Sequence, residues 1–292
     1  MKCKTIKFNR ISIGILSVSL LLAGCSSNEN ATESSTDQAT STNTVAVDLK
    51  TETDTYKTFA LDQMDSFLIE TEKFVNAFLE GDVETAKALY PEARMFFERS
   101  EPIAESFGDL DPRIDGRLAD IKEEGKGEEE WTGYHKLEYA LWVENTTKGY
   151  EEVAKQLLTD TKELHALVQT VEVKPDLMIT GAVDLLNEVS TSKITGEEEI
   201  YSHTDLYDFK ANIEGAEKIF EILQNKIQSK DETLVTTLED KFDNLDELLS
   251  KYEAPDGGYI SYEKLTEADT NALATAVNQL GEPLSQMGII LE

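Results

Sequence analysis

The sequence predicts an all-α protein, folded as an up-and-down helical bundle. Three observations lead to this prediction. Apolar residues recur in steps of three and four along much of the chain, strand-like alternation of polar and apolar residues is hard to find, and there are only six prolines. Several of these prolines stand at or before predicted helix ends, where they are tolerated. We expect seven or eight helices, arranged as one bundle or as two four-helix bundles back to back.

Residues 1–24 have the pattern of a lipoprotein signal peptide. Basic residues precede an apolar run from Ile11 to Leu22, and small residues stand directly before Cys25. The run is too short for a membrane-spanning helix, which needs about 20 residues. We expect export, acylation of Cys25 and a lipid-anchored position on the extracellular face of the cell membrane. The other cysteine, Cys3, leaves with the signal peptide, so no disulfide is expected in the mature domain.

A flexible linker is expected from residue 25 to residue 53, and a helical domain from residue 54 to residue 292. The linker consists mainly of Ser, Thr, Asn, Glu, Asp and Ala, and it has too few large apolar residues to build a core. In the domain, an amphipathic stripe begins at Leu61 and is ended by Gly81. The same period recurs in three later stretches: Ile213 to Leu223, Leu234 to Leu248, and Leu273 to Leu280.

The chain is strongly acidic. Its 58 Asp and Glu residues outnumber 27 Lys and Arg residues, which gives a formal net charge of −31. A field of this sign repels phosphate backbones and raises the concentration of cations near the surface. Nucleic acid is therefore excluded as an expected partner. The acidity is equally well explained by the solubility of an exposed protein.

The first segment of chemical interest contains Glu98, Glu101 and Glu105. Their spacing of three and four residues would place them on one face of a helix. Like charges in such a row destabilise a helix unless a cation compensates them. The compensating cation could be a metal ion, or it could be Arg94 or Arg99.

Two further segments supply carboxylates from predicted loops. The first follows directly and is broken by glycines and a proline; it contains Asp109, Asp111 and Asp115. The second surrounds the start of a helix and contains Glu197, Glu198, His203, Asp205 and Asp208. Capping by Thr204 or Asp205 explains part of the second segment, but it leaves the histidine and the glutamates without a role.

A histidine and a glutamate lie on one face of the helix predicted for residues 131–142. His135 and Glu138 are three residues apart, and Trp142 lies on the same side, so this face is expected to be buried. The pair is either a satisfied core pair or a metal ligand. The order is the reverse of the Glu-x-x-His motif of di-iron bundles, and the His-Glu-x-x-His motif of zinc proteases is absent from this helix.

These segments combine many carboxylates with one or two imidazoles. Such donors suit iron, manganese, zinc or copper, or calcium if the imidazole takes no part. The residues alone do not decide among these metals.

In three runs the chain resembles the imelysin-like family, specifically the EfeM/EfeO lipoproteins of Efe-type bacterial iron-uptake systems. The matching runs are residues 101–115, 131–142 and 195–215. The resemblance implies a bilobed helical bundle and a His-x-x-Glu motif, matched by His135 and Glu138. It also implies a carboxylate site, matched by Glu98, Glu101 and Asp115, with Glu198 as a fourth candidate.

The resemblance also implies a function and partners. The expected function is to bind ferric or ferrous iron, with zinc or copper possible in its place, and to deliver it to a membrane iron permease. A haem-containing peroxidase is the other expected partner. Longer members of the family carry an N-terminal cupredoxin domain, in whose place this chain is expected to have only the linker.

Two other functions are alternatives to iron delivery. Some relatives are labelled peptidases, and a metal-dependent peptidase would need a metal-bound water and a general base near a peptide bond. The sequence offers no support for that activity, and we do not expect an enzyme. The other alternative is a structural surface module in which the same residues form buried ion pairs.

Overall fold

The computed structural model describes residues 47–191, 193–255 and 257–291. The expected signal peptide, Cys25 and the linker up to residue 46 lie outside the described residues. Within them, the first helix, α1, runs from Lys50–Glu80 and is followed by Gly81 in the left-handed conformation, as predicted. The linker was expected to reach residue 53, but α1 begins earlier, because Leu49 and Thr53 are buried and anchor its first turn against the core.

Eleven α-helices occur in the part of the chain that the structure describes. Eight of them have ten or more residues, in agreement with the seven or eight expected. After α1 these are α2 (Val83–Glu98), α6 (Gly133–Trp142), α7 (Glu151–Val168), α8 (Pro175–Thr191), α9 (Asp205–Gln228), α10 (Glu232–Ser250) and α11 (Glu267–Leu291). The three short helices are α3 (Glu101–Ala104), α4 (Leu110–Asp115) and α5 (Leu118–Glu123).

The eight longer helices pack in two groups of four. Helices α1, α2, α6 and α7 form one group, and α8, α9, α10 and α11 form the other. Helix α9 also packs against α2, and the buried apolar residues of both groups form one continuous core. The all-α bundle predicted from the sequence is therefore confirmed. Among the described residues the only β-type pairing is an isolated bridge between Glu253 and Tyr259.

No helix in the described ranges combines the length and the apolar character that crossing a membrane requires.

Helices α2 and α9 approach each other closely where the two groups meet. A Cβ on Gly215 would lie 2.6 Å from the carbonyl oxygen of Arg99, so only glycine fits without a shift of the backbone. One turn earlier on α9, the side-chain amide of Asn212 donates a hydrogen bond of 3.1 Å to the carbonyl oxygen of Glu98. This contact fixes the carboxyl end of α2, which carries the acidic residues considered next.

Candidate metal centre

The acidic segments and the histidine predicted from the sequence meet at one place. Helix α2 supplies Glu98, α4 supplies Asp115, α6 supplies His135 and Glu138, and the loop before α9 supplies Glu198. The side chains of Glu98, His135 and Glu138 are at most 2% exposed. These donors come from segments that are far apart in the sequence, so the fold assembles them.

The start of α6 lies directly against the end of α4. Gly133 has a φ of +83°, and a Cβ at this position would lie 2.2 Å from the carbonyl oxygen of Ile114. The indole nitrogen of Trp131 donates a hydrogen bond of 2.8 Å to the carbonyl oxygen of Gly116. Helices α4 and α6 are thereby joined, with Asp115 and His135 on the same side.

Glu138 orients the imidazole of His135. One oxygen, Oε2, lies 3.2 Å from Nδ1 of His135. The other, Oε1, accepts hydrogen bonds from the backbone amides of Tyr201 at 2.9 Å and Ser202 at 2.7 Å. Because a carboxylate only accepts, the contact favours the tautomer with the proton on Nδ1 and a lone pair on Nε2.

The second nitrogen of His135 faces two carboxylates. Nε2 lies 3.6 Å from Oδ1 of Asp115 and 3.7 Å from Oε1 of Glu198. Nε2 is buried and has no hydrogen-bond partner among the residues that the structure describes. The potential ligand atoms of the three residues lie within 4.8 Å of one another. One imidazole nitrogen with two carboxylates suits a borderline or hard transition-metal ion.

Arg94 is a buried cation beside this triad. Its side chain is 1% exposed, and its guanidinium lies 5.8 Å from the ring centres of Tyr90 and Tyr134. It faces five carboxylates: Glu98, Asp115, Glu198, Glu199 and Asp208. The cation that the sequence left as an alternative to a metal is therefore present as Arg94. Arg99 takes no part and pairs with Glu214 at 2.5 Å instead.

A second buried cation, Lys193, holds the neighbouring carboxylates. Its ammonium contacts Glu98 and lies 3.8 Å from Oε2 of Glu101 and 3.7 Å from Oε2 of Glu188. The amide of Asn212 donates to Oε2 of Glu98 at 3.1 Å and to Oε2 of Glu101 at 3.0 Å. Glu98 and Glu101 thus belong to an adjoining cluster, linked to the histidine triad through Arg94.

Carboxylates outnumber cations in the combined cluster. The acids are Glu98, Glu101, Asp115, Glu138, Glu188, Glu198, Glu199 and Asp208, and the basic side chains are Arg94, Lys193 and His135. Burial raises the pKa of Asp115, and it raises those of Glu101, Glu199 and Asp208 well above the ordinary values. Such an excess of buried acid requires protons or additional cations to balance it.

The histidine is shifted toward its charged form. Burial and the charge of Arg94 lower the pKa of His135, but the hydrogen bond to Glu138 and the nearby carboxylates of Glu198 and Asp115 outweigh them, and the pKa rises to about 9. The pKa of Glu138 is lowered despite burial, because it accepts hydrogen bonds from His135 and from two backbone amides. A metal at Nε2 would therefore displace the proton that the charged imidazole carries on Nε2.

A cleft of about 610 Å³ leads from the surface to the triad. Its wall includes both His135 and Glu198. Arg117 stands at the side of the cleft and bridges Glu198 at 3.3 Å and Asp120 at 2.8 Å. The cleft gives a small ion a path to the buried nitrogen of His135.

One expectation for each of the first two acidic segments is wrong. Glu98, Glu101 and Glu105 do not line one helix, because α2 ends at Glu98 and Glu101 begins the separate helix α3. The break comes at Ser100, whose hydroxyl donates to the carbonyl of Phe96 at 2.9 Å. Residues 110–115 were expected in a loop and form the short helix α4 instead. One carboxylate of this stretch, Asp115, turns back toward α2 and contacts Arg94.

The third predicted segment contributes less than its composition suggested. Thr204 is the N-cap residue of α9, but its side chain makes no capping hydrogen bond. Asp205 instead accepts a hydrogen bond of 3.1 Å from the backbone amide of Glu199. His203 lies 3.6 Å from Glu263, away from the triad. Glu197 is exposed and lines the cleft, so Glu198 is the donor that this segment supplies to the triad.

Sequence reasoning missed Lys193, Asn212 and Glu199. A signal for Asn212 existed, because a polar residue stands in the apolar stripe of α9, four positions after Asp208. Lys193 lies in a short connecting segment, where no periodicity marks a side chain as buried.

Comparison with known proteins gives matches over most of the chain. The family model Peptidase_M75, described as imelysin, matches residues 52–287. An "Efem/EfeO family lipoprotein" of Staphylococcus aureus strain MSSA476 is 55% identical over 252 residues, which are 85% of this chain and 87% of that protein. Proteins with the same description from strains MW2 and NCTC 8325 are 55% and 54% identical with the same coverage.

Proposed function

This chain belongs to the imelysin family, and from that premise we propose that it is an extracytoplasmic lipoprotein that binds iron and delivers it to a membrane iron permease. In this proposal residues 1–24 are removed as the signal peptide and a lipid on Cys25 anchors the protein at the extracellular face of the cell membrane. A haem-containing peroxidase of the same uptake system is the second proposed partner. The protein itself is proposed to carry the metal, not to catalyse a reaction.

One observation carries the binding part of the proposal. The buried Nε2 of His135 faces Asp115 and Glu198 and has no hydrogen-bond partner in the described part of the chain. An unsatisfied buried nitrogen is costly, and a metal ion held between it and two carboxylates would satisfy it. Imidazole with carboxylate is a suitable donor set for iron, and for zinc or copper as well.

The remaining predicted ligands have distinct places in this proposal. Glu138 acts mainly by orienting His135, as outer partners of metal-bound histidines commonly do. Glu98 and Glu101 are proposed as further oxygen donors, available to a cation when Lys193 and Asn212 release them. Carboxylates suit ferric iron, and reduction or protonation would assist its release.

A second candidate function is favoured by the contacts of Arg94 and Lys193. In a structural surface module, these two cations would be the permanent partners of the buried acids. The two functions differ in their response to metal. A genuine site saturated at a hundredfold above its dissociation constant adds about 2.7 kcal/mol of stability, whereas a structural module gains none.

The test compares two histidine variants of the full chain, purified in detergent. His135→Ala removes the proposed nitrogen ligand, and His165→Ala removes a partly exposed histidine that pairs with Asp65 elsewhere. Anaerobic ferrous iron, ferric citrate, zinc and copper are titrated by calorimetry. We expect iron affinity to fall at least a hundredfold in His135→Ala and to stay unchanged in His165→Ala.

Other outcomes would lead away from iron delivery. Equal iron affinity in both histidine variants would contradict the proposed site. The absence of both binding and metal-dependent stabilisation in the unmodified chain would favour the structural module. An iron affinity that persists in the Glu98→Ala/Glu101→Ala double variant would remove those two residues from the donor set.

A further inference from the structure

Arg94 and the proposed metal would compete for the same oxygen atoms. The Asp115 oxygen that lies 3.6 Å from Nε2 of His135, Oδ1, is also the oxygen that contacts Nη1 of Arg94. Likewise Oε1 of Glu198 lies 3.7 Å from Nε2 of His135 and 3.7 Å from Nη2 of Arg94. A cation bound by the triad would therefore stand directly beside the guanidinium and share its acceptors.

The rest of the guanidinium is held in place independently of the triad. Nε of Arg94 lies 2.6 Å from Oε1 of Glu199 and 3.4 Å from Oδ1 of Asp208. The guanidinium also lies over the rings of Tyr90 and Tyr134. The side chain is buried and the guanidinium keeps these contacts with residues other than the triad, so the positive charge of Arg94 stays beside the triad when a metal arrives.

We propose that Arg94 is a built-in competitor that limits the affinity of the site and so makes metal binding reversible. On metal binding, its Nη atoms give up Asp115 and Glu198, while its Nε atom keeps Glu199 and Asp208. When the metal leaves, the Nη atoms return and neutralise the two carboxylates. This inference rests on the proposed function, because it assumes that Asp115, His135 and Glu198 bind the metal.

A purely structural role for Arg94 predicts the opposite effect on affinity. If the guanidinium only held the carboxylates in position, its removal would disorder the ligands and weaken metal binding. If it competes with the metal, removal of its charge would strengthen binding, because the nearby repulsive charge disappears and the carboxylates no longer need to be released. The sign of the change therefore separates the two roles.

The experiment measures zinc and anaerobic ferrous iron affinity of the full chain in detergent, by calorimetry, for three variants. Arg94→Gln removes the charge, Arg94→Lys retains it, and Arg99→Gln is the matched control at the C-cap of the same helix, since Arg99 pairs with Glu214 outside the site. We expect Arg94→Gln to bind at least tenfold more tightly, or about 1.4 kcal/mol. The metal affinity of Arg94→Lys should remain within about threefold of that of the unmodified chain, and the affinity of Arg99→Gln should equal that of the unmodified chain.

Two outcomes with the Arg94 variants would overturn the inference. Folded Arg94→Gln protein that binds metal equally or more weakly would show that Arg94 does not compete. Arg94→Lys protein that binds as tightly as Arg94→Gln would show that charge is not the cause. If the unmodified chain binds metal and loses it in His135→Ala, the proposed function stands whatever Arg94 does. If neither the unmodified chain nor the variants bind metal, the proposed function fails and this inference fails with it.

A second measurement decides the matter even if Arg94→Gln does not fold. A crystal structure of the unmodified chain, grown with zinc, should show Nη1 of Arg94 separated from Asp115 and Nε still paired with Glu199. A metal on Oδ1 of Asp115 together with an intact Arg94–Asp115 pair would overturn the inference.

Discussion

At the scale of single residues, Glu138 joins two functions in one carboxylate. Through Oε2 it orients His135, and through Oε1 it ties α6 to the backbone at Tyr201 and Ser202. The contact with His135 is buried and the contacts with the two amides are partly buried, so each is stronger than it would be in water. The direction of the histidine ring and the proton on Nδ1 are therefore set before any metal arrives.

The substitution Glu138→Gln tests this orientation. Glutamine has almost the same shape, but when its oxygen accepts from the two backbone amides, its NH₂ group faces Nδ1 of His135. Nδ1 must then accept, and the proton moves to Nε2, where it blocks metal binding. We expect a loss of about 10–100-fold in zinc affinity, measured by calorimetry, with little change in helix content.

The control for this variant is Glu144→Gln, which removes an exposed carboxylate just beyond the end of α6. It should leave zinc affinity unchanged. Undiminished affinity in Glu138→Gln would show that the tautomer of His135 is not set by Glu138.

Part of this residue-level picture could be predicted. The His135–Glu138 pair follows from helical spacing, because residues three apart share a face. A cation beside the glutamates was expected, and Arg94 does contact Glu98, although the glutamates do not share one helix as their spacing suggested. The spacing could not show that Arg94 reaches Asp115 and Glu198, because those contacts join segments whose packing no local pattern encodes.

At the scale of elements, the centre depends on the contact between α4 and α6. Gly133 permits this contact in two ways: it adopts a φ of +83°, and it leaves room for the carbonyl of Ile114. Since α4 carries Asp115 and α6 carries His135, displacement of one helix would separate the two donors.

The substitution Gly133→Ala should therefore destabilise both the fold and the site. We expect the melting temperature, measured by circular dichroism, to fall, and zinc affinity, measured by calorimetry, to fall with it. Gly125→Ala is the matched control: Gly125 has a φ of +79°, but nothing lies within 4 Å of a Cβ there. The free energy of unfolding of Gly125→Ala should fall by about 1 kcal/mol through backbone strain alone, and its zinc affinity should stay unchanged.

The difference between the two glycine variants isolates the steric contact of α4 with α6. If both variants lost the same stability and kept their zinc affinity, the close contact of Gly133 with Ile114 would not be needed to hold the site together.

The longer helices were predictable and the short ones were not. Stretches such as Leu234 to Leu248 repeat an apolar period over several turns, and α10 covers that whole stretch. Helices α3, α4 and α5 have six residues or fewer, which is less than two turns, so no period can be recognised in them. Pro112 suggested a break, but it lies inside α4 near its first turn, as Pro102 does in α3, and proline is tolerated there.

At the scale of the whole molecule, the buried acids and the histidine should make stability depend on pH in one direction. Burial raises the pKa of both Asp111 and Glu188 to about 7, and the pKa of His135 is raised to about 9. For each of these groups the pKa is higher in the folded state than in the unfolded state. The contribution of the group to the free energy of unfolding is therefore complete below the unfolded-state pKa, and it is lost as the pH rises through the folded-state pKa. The lowered pKa values of Glu138 and Glu198 act only at lower pH.

We therefore expect the melting temperature to fall continuously from pH 5.5 to pH 9 at constant ionic strength. Scanning calorimetry of the metal-free chain measures this. Saturation with zinc should remove most of the decline, because the metal supplies the positive charge that protons supply at lower pH. A melting temperature that rises with pH in the metal-free chain would contradict the assignment of raised pKa values.

The scattered origin of the donors also constrains when the protein can acquire its cargo. Asp115, His135 and Glu198 come from three separate stretches of chain and meet only in the folded domain. A chain that crosses the membrane unfolded, as export through its predicted signal peptide implies, cannot bring a metal ion with it. In that case the site would be completed only after Glu198 has been translocated and the helices have packed. The order of biogenesis would thus ensure that every ion bound by the protein was captured outside the cell.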